Sequence, residues 1–343
     1  MKPKGVCFVG PMLYQSGFVK TQGEILADLL ERAGYRVFRK SEFPNRILRF
    51  LDTSWFLLFR PSKYDVVIVQ VYGGLSFYME DMASAIARFH RKKIIMTLHG
   101  GALPDFFKSR QSWAKRVLRR SNLLTCPSDF LVGKLKYLGL PFCEVPNVIR
   151  LADYPFLDKK EFNPLTILWM RAYHDLYNPL LCLDAFERVA DRYPGARLVM
   201  AGPDMGMFDQ VQQRVSGSLQ RDNITLLRRI DLKQKIELAN QCQVYLNTNR
   251  IDNAPVSMVE MAAFGLALVS TNVGGIPFLF RNEQLALLVD QTPEALAEAV
   301  IRVVEFPQEA SERIARARAE VQRFDEYVVV QKWQELIESV CAV

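Results

Sequence analysis

The sequence predicts an α/β protein of two domains, each a parallel, doubly wound sheet covered by helices, and three observations carry that prediction. Apolar runs of strand length alternate with helical patterns along the whole chain, the order that builds βαβ units. Several runs end in glycine, at Gly10, Gly73-Gly74, Gly100-Gly101 and Gly202, as loops at a ligand-binding sheet edge require. A proline-rich segment, Pro141 to Pro164, divides the 343 residues into two blocks of domain size.

Taken in order, Gly5-Val-Cys-Phe-Val9 reads as a first buried strand, and Tyr14 to Gly23, with Ser16, Gly17 and Thr21, as a loop. A helix over Glu24 to Arg32 follows, stopping at Gly34 before a strand over Tyr35 to Phe38. Lys63 to Val69 and Lys93 to Thr97 read as further strands. After the linker, Leu165 to Met170 is a strand, Asn178-Pro179 caps a helix running to Ala190, and Ala196 to Ala201 is the next strand. The tail, Phe324 to Val340, places Trp333, Leu336, Ile337 and Val340 on one helical face. The domains are therefore drawn as 1–150 and 151–323, with 324–343 a helix packing back on the first.

Half of the residues are hydrophobic and 24% charged, so a sizeable core is expected. The net charge of +7 is unevenly spread: residues 1–155 carry 24 Lys and Arg against 12 Asp and Glu, the remainder 20 against 25. A basic first half points to an anionic partner. Within it, Arg46 to Arg60 sets Arg46, Arg49 and Arg60 around Ile47, Leu48, Phe50, Leu51, Trp55, Phe56, Leu57, Leu58 and Phe59. A basic amphipathic helix of this kind lies in an anionic membrane interface; the plainer reading packs it on the sheet. A second basic cluster runs from Lys108 to Arg120, and no nucleic-acid motif accompanies the charge, so nucleic acid is not expected. Six scattered cysteines without a C-x-x-C pair argue against structural zinc or a disulfide framework and fit a reducing cytosol. No apolar run approaches the ~20 residues that span a bilayer.

The most informative stretch is Asn249 to Pro277, between apolar runs at Val244 to Leu246 and Leu266 to Ser270. Pro255 suits the first position of a short helix and Gly265 the position past its end, with Glu260 near the helix start. In such a βαβ unit the loops gather at the carboxyl edge of the sheet, where helix N–H groups face the ligand. Asp252, Glu260 and the loop Thr271 to Gly275 thus outline a pocket for a polyhydroxylated, phosphate-bearing ligand.

These pieces resemble the retaining glycosyltransferases of family 4, whose GT-B fold sets two Rossmann-like domains face to face across a cleft. The family pattern is close to E-G-x-P-x-x-x-x-E-A-x-A-x-G-x-P-V-V-x-T-x-x-G-G. Here Pro255, Glu260, Ala263, Gly265, Val269, Thr271, Gly274 and Gly275 stand in register, with Asp252 in place of the first glutamate. Pro146-Asn147-Val148, Ser128, Arg171, Ala201-Gly202-Pro203 and Leu98-His99-Gly100 extend the match. The resemblance implies a hexosyltransferase whose co-substrate is a nucleoside-diphosphate sugar, without a cofactor or essential metal. Its acceptor would be a glycan or lipid-linked; the cysteine pattern and the Arg46 to Arg60 segment add the expectation of a cytoplasmic protein, soluble or peripheral at the inner face of the membrane. Glu260 would accept ribose hydroxyls, and Asp252 would meet the donor sugar, one methylene short. N–H groups of Val256 and Ser257 after Pro255, with Thr271, Gly274 and Gly275, would hold the diphosphate, and Arg171 would stabilise its charge. His99 would lie near the reacting sugar, and Ser16 and Gly17 would approach the diphosphate.

Each assignment has a plainer rival: His99 as an ordinary loop histidine, Arg171 as a structural ion pair. The family usually has a lysine five to seven residues after the arginine, and residues 172–180 contain none; Tyr177-Asn178 stand there. Phe278 and Ala267 replace the usual glutamate and proline, marking a divergent subfamily. The other functions weighed are a nucleotide-sugar-binding scaffold without turnover and an epimerase of the same fold.

Overall fold

The computed structural model describes residues 3–16, 20–101, 103–156, 161–162 and 164–342. Met1–Val148 with Phe324–Val343 form one unit and Ile149–Arg323 the other. Among the described residues each unit holds one six-stranded sheet, and every pairing within both sheets is parallel.

In the first unit the strands are β1 (Val6–Val9), β2 (Val37–Lys40), β3 (Val66–Val71), β4 (Lys93–Leu98), β5 (Leu123–Cys126) and β6 (Cys143–Glu144), in the order β2-β1-β3-β4-β5-β6. β1 and β3 are buried along their whole lengths, which is why they read as unbroken apolar runs rather than alternating ones. The second strand begins two residues later than expected: Tyr35 turns its ring into the core ahead of the strand. The expected linker contains edge strand β6, paired with β5 through Thr125 and Cys126. Helix Gln22–Arg32 starts inside the expected loop. Its start is set by a capping box in which the Thr21 hydroxyl accepts from the Glu24 amide while the Glu24 carboxylate accepts from the Thr21 amide. The C-terminal helix Glu326–Ala342 buries Val329, Trp333, Ile337 and Val340 beside Leu26, Leu30 and Val148 of the same unit.

In the second unit the strands are β7 (Thr166–Met170), β8 (Arg197–Ala201), β9 (Ile224–Leu227), β10 (Val244–Asn247), β11 (Ala267–Thr271) and β12 (Leu287–Val289), in the order β12-β11-β10-β7-β8-β9. The order reverses between β7 and β10, so the loops after those strands diverge and leave a crevice at the carboxyl edge. Helix Pro179–Arg192 is entered through Asn178, whose left-handed backbone (φ 49°) makes the turn without a side-chain cap. Helix Val256–Phe264 ends at Gly265 with φ 83°. Pro255 is its N-cap rather than its first helical residue: its ψ of 103° is extended, so the helix opens one residue later. Glu260 consequently sits mid-helix instead of near its start. Core side chains such as Trp169, Phe186 and Leu246 fill the layer beneath this edge.

Candidate active site

Arg171 is the first residue after β7, and Asp252 belongs to the loop after β10 on the other side of the crevice. The two meet directly: Arg171 Nη2 donates to Asp252 Oδ2 at 2.8 Å, with side chains only 12% and 15% exposed. The same guanidinium donates through Nη1 to Ser257 Oγ at 2.9 Å and lies over the Tyr177 ring, 3.9 Å from its centroid. Asp252 Oδ2 also accepts from Asn249 Nδ2 at 2.7 Å, and Ser257 accepts from the buried Tyr245 hydroxyl at 2.9 Å. Burial would lower the Arg171 pKa, but the neighbouring Asp252, Tyr245 and Tyr177 outweigh it and hold it above its ordinary value. Among the described residues, the buried Arg171 Nε has no hydrogen-bond partner. Arg171 is thus ion-paired, and its partner is the residue expected to meet the donor sugar.

The loop after β11 is pressed onto the loop after β10. A Cβ on Gly274 (φ +57°) would stand 2.0 Å from the Asp252 carbonyl oxygen, and one on Gly275 1.9 Å from that of Asn253. Only glycine fits both places. The Gly275 amide then donates to the Asp252 carbonyl at 2.8 Å, and the Thr271 hydroxyl donates to the Asn249 carbonyl at 2.7 Å. Thr271 thus serves the loop scaffold, being fully buried at the end of β11. Val256 and Ser257 open the helix at this edge, where first-turn amides lack helical partners.

Glu260 points to a different set of neighbours. Both carboxylate oxygens accept from Lys235 Nζ, at 2.8 and 2.9 Å, and Oε1 also accepts from the Tyr154 hydroxyl at 2.7 Å. Lys235 comes from helix Leu232–Gln241, and Tyr154 from the segment just after the unit boundary. Burial first, and then Glu260, push the Tyr154 hydroxyl pKa far up, so it stays a donor. Sequence reasoning missed Lys235, Tyr154 and Asn249. Lys235 precedes Glu260 by 25 residues on another helix, and no linear spacing ties them.

In the first unit, His99 follows β4 and is buried, its Nε2 2.6 Å from Gln70 Oε1 and its ring stacked on Tyr72 with centroids 5.0 Å apart. Burial lowers its pKa to about 4, so the imidazole is neutral at ordinary pH. Ser16 is exposed at the end of the short turn Tyr14–Ser16, and Gly17 lies outside the described residues. Among the described residues no group of three His, Cys, Asp or Glu is arranged to hold a metal, and no helix is long and apolar enough to cross a membrane.

Residues 157–320 match the model of the family described as glycosyl transferases group 1. The chain is 22% identical over 322 residues to the phosphatidylinositol N-acetylglucosaminyltransferase gpi3 subunit of Schizosaccharomyces pombe, covering 90% of this chain and 68% of that protein. It is 24% identical over 213 residues to the phosphatidyl-myo-inositol mannosyltransferase of Mycolicibacterium smegmatis, covering 60% of this chain and 54% of the other, about half its length. The crystal structure of Anabaena Alr3699/HepE in complex with UDP superposes with a TM-score of 0.76 at 15% identity, over 98% of this chain and 100% of that one. The fold is that of the GT-B glycosyltransferases, and residues 157–320 carry the match to the group 1 glycosyl transferases.

Proposed function

We propose that this glycosyltransferase moves a sugar, with retention of configuration, from a nucleoside-diphosphate sugar to a glycan or lipid-linked acceptor. The observation that carries it is the contact of Arg171 with Asp252 and Ser257 at the mouth of helix Val256–Phe264, beside the Gly274-Gly275 loop. That cluster sets a permanent, forked cation and helix amides on the same edge, the pair of features that stabilises a departing diphosphate without a metal. A diphosphate competing for Arg171 would release Asp252 toward the donor sugar. Glu260, held by Lys235 and Tyr154, would accept ribose hydroxyls. His99, neutral and buried against Gln70, would serve near the reacting sugar by hydrogen bonding rather than by charge.

Two lines support the acceptor side. The names of the similar proteins refer to phosphatidylinositol as what they act on. Helix Arg46–Phe59 leaves Ile47, Leu51, Trp55 and Phe59 exposed, at 70%, 57%, 51% and 67%, between arginines, as an interfacial helix on anionic lipid would. We read the protein as cytoplasmic and peripheral to the membrane through that helix.

A thermal-shift screen of nucleoside diphosphates and their sugars tests the donor reading, since a ligand that binds only the folded state raises the melting temperature. UDP or a UDP-sugar should raise it in the wild type and much less in Arg171→Ala. A raised melting temperature with no sugar transfer to any lipid or glycan offered would leave the scaffold reading instead. The missing lysine between residues 172 and 180 is the observation that keeps it alive.

A further inference from the structure

At the carboxyl edge of the first sheet lies a cavity of about 450 Å³, walled by the loops after β1 and β3 and roofed by helix Arg46–Phe59. Its floor is polar and incompletely paired. Gln70 reaches His99 through Oε1, and Glu80 Oε1 accepts from the Tyr72 amide at 2.9 Å; among the described residues, buried Gln70 Nε2 and Glu80 Oε2 have no partner at hydrogen-bond distance, though the Ser76 hydroxyl and Gly73 amide lie near the carboxyl. Gln70 is 2% and Glu80 3% exposed. The Gln70 position is built for: a Cβ on Gly10 would stand 2.6 Å and one on Gly23 2.9 Å from its side chain. Burial pushes the Glu80 carboxyl up to about 8, with the Tyr72 amide, the Ser76 hydroxyl and the Gly73 amide pulling the other way, so near neutrality it is mostly a neutral acid with a proton to donate. An unpaired amide N–H and a carboxylic O–H call for an acceptor-rich group.

The rim adds charge and hydrocarbon. Arg46 and Arg49 line the cavity, and among the described residues no carboxylate acts on Arg49, whose charged neighbour is Arg46. Burial first, and then the Arg46 charge, lower the Arg49 pKa. Beyond them Phe50, Leu75 and Tyr78 line the same cavity while 39%, 71% and 60% exposed. A neutral sugar would leave the arginines uncompensated, and a free anion would leave the apolar rim wet.

We propose that this cavity holds the phosphate of an anionic lipid, bridged by Arg46 and Arg49 and reached from below by Gln70 and Glu80, with the hydrocarbon lying over Phe50, Leu75 and Tyr78. Calling that lipid the acceptor rests on the transferase reading; its binding does not. Gln70 then links the phosphate to His99, so that head-group occupancy and the reacting-sugar residue share one side chain.

The test is calorimetric titration of the full chain with three probes: dihexanoyl phosphatidic acid below its micellar concentration, dihexanoylglycerol, and inorganic phosphate. Phosphatidic acid should bind one to one, at least tenfold tighter than either other probe. Arg49→Gln, at a half-exposed position, and Glu80→Leu, which removes the donor at similar volume, should each weaken it at least tenfold. Neither change should alter the UDP thermal shift. Inorganic phosphate binding as tightly as the lipid would overturn the lipid in favour of a free phosphate. Dihexanoylglycerol binding as tightly would reduce the cavity to an apolar groove, and unchanged affinity in Arg49→Gln would also sink the proposal. Lipid binding with no thermal shift from any nucleoside diphosphate or its sugar would leave the cavity standing and remove the donor reading.

Discussion

The Arg171–Asp252 pair is where the energetics of the second unit and its proposed chemistry meet. Taking two charges out of water costs several kcal/mol per ion, and breaking such a pair from one side strands the other, typically at about 3 to 5 kcal/mol. Asp252→Ala should therefore lower unfolding free energy by roughly that amount, and the double change Arg171→Met with Asp252→Ala should recover much of it. Urea denaturation of Asp252→Ala, Arg171→Met and the double variant reads this directly; an additive double variant would mean that the pair is not coupled. In catalysis the two behave alike: Arg171→Ala should cost about 2.7 kcal/mol or more in kcat/KM, the scale of one preorganised donor to a developing oxyanion. Two buried groups in the first unit make opposite demands on pH. Glu80, raised from 4.5 to about 8 by burial, contributes stability that is complete below pH 4.5 and lost as pH rises toward 8. His99, lowered from 6.5 to about 4 by burial, contributes stability present above pH 6.5 and lost as pH falls toward 4. Between pH 4.5 and 6.5 the two slopes oppose one another; above 6.5 Glu80 acts alone. Stability should fall by roughly 2 kcal/mol from pH 6.5 to 8 at ~1.36 kcal/mol per unit, and Glu80→Gln should abolish that fall while keeping the Tyr72 amide paired. Parallel urea midpoints for the two proteins at the two pH values would contradict it.

At the scale of the element, helix Val256–Phe264 organises the donor edge because three loops converge on it, and each contributes what the others lack. Arg171 comes from the loop after β7, Asp252 from the loop after β10, and the glycine pair after β11 closes the space between them. This much was legible in the sequence, since the glycines, the helix stop at Gly265 and the acidic residues fall within one continuous stretch. The capping position of Pro255 was displaced by one residue, because a proline's fixed φ serves an N-cap as well as a first helical position, and only ψ separates them. What spacing could not show is the support of Glu260. Lys235 and Tyr154 reach it from two other segments, and tertiary packing alone brings them together. Lys235→Met would leave the Glu260 carboxylate, 13% exposed, with only the tyrosine as donor. We expect UDP affinity to drop about tenfold in that variant, corresponding to ~1.4 kcal/mol, and Tyr154→Phe to cost about 1 kcal/mol as a single neutral donor does. Titration of both with UDP checks this, and wild-type affinity in Lys235→Met would assign the lysine to the fold alone.

Across the whole molecule the charge is divided: the first 155 residues hold twice as many basic as acidic side chains, while the remainder is slightly acidic. Internal pairing accounts for part of this. Arg116 and Arg120 of the second basic cluster are both spent on Asp81, at 2.7 Å for Arg116, and Arg39 on Asp28 and Glu31. Composition alone could not separate such satisfied cations from the uncompensated ones on helix Arg46–Phe59, because pairing is a property of the packed chain. Nor could it show that the helix works on both sides. Thr53, Phe56 and Leu57 are buried on one side, while Ile47, Leu48, Leu51, Trp55, Leu58 and Phe59 are exposed. The reading that the helix packs on the sheet and the reading that it meets a membrane are thus compatible. Arg60 lies over the exposed Trp55 ring, 5.4 Å from its centroid, placing a cation at the level where an indole enters a head-group layer. The chain should therefore sediment with phosphatidylserine vesicles at low salt and much less with phosphatidylcholine ones. Raising ionic strength should weaken the association, because the screening length contracts from about 30 Å at 0.01 M to about 8 Å at 0.15 M. Leu51→Asp with Trp55→Asp, both at exposed positions, should abolish sedimentation while leaving the UDP thermal shift intact. Full sedimentation of that double variant would place the membrane contact elsewhere on the basic unit.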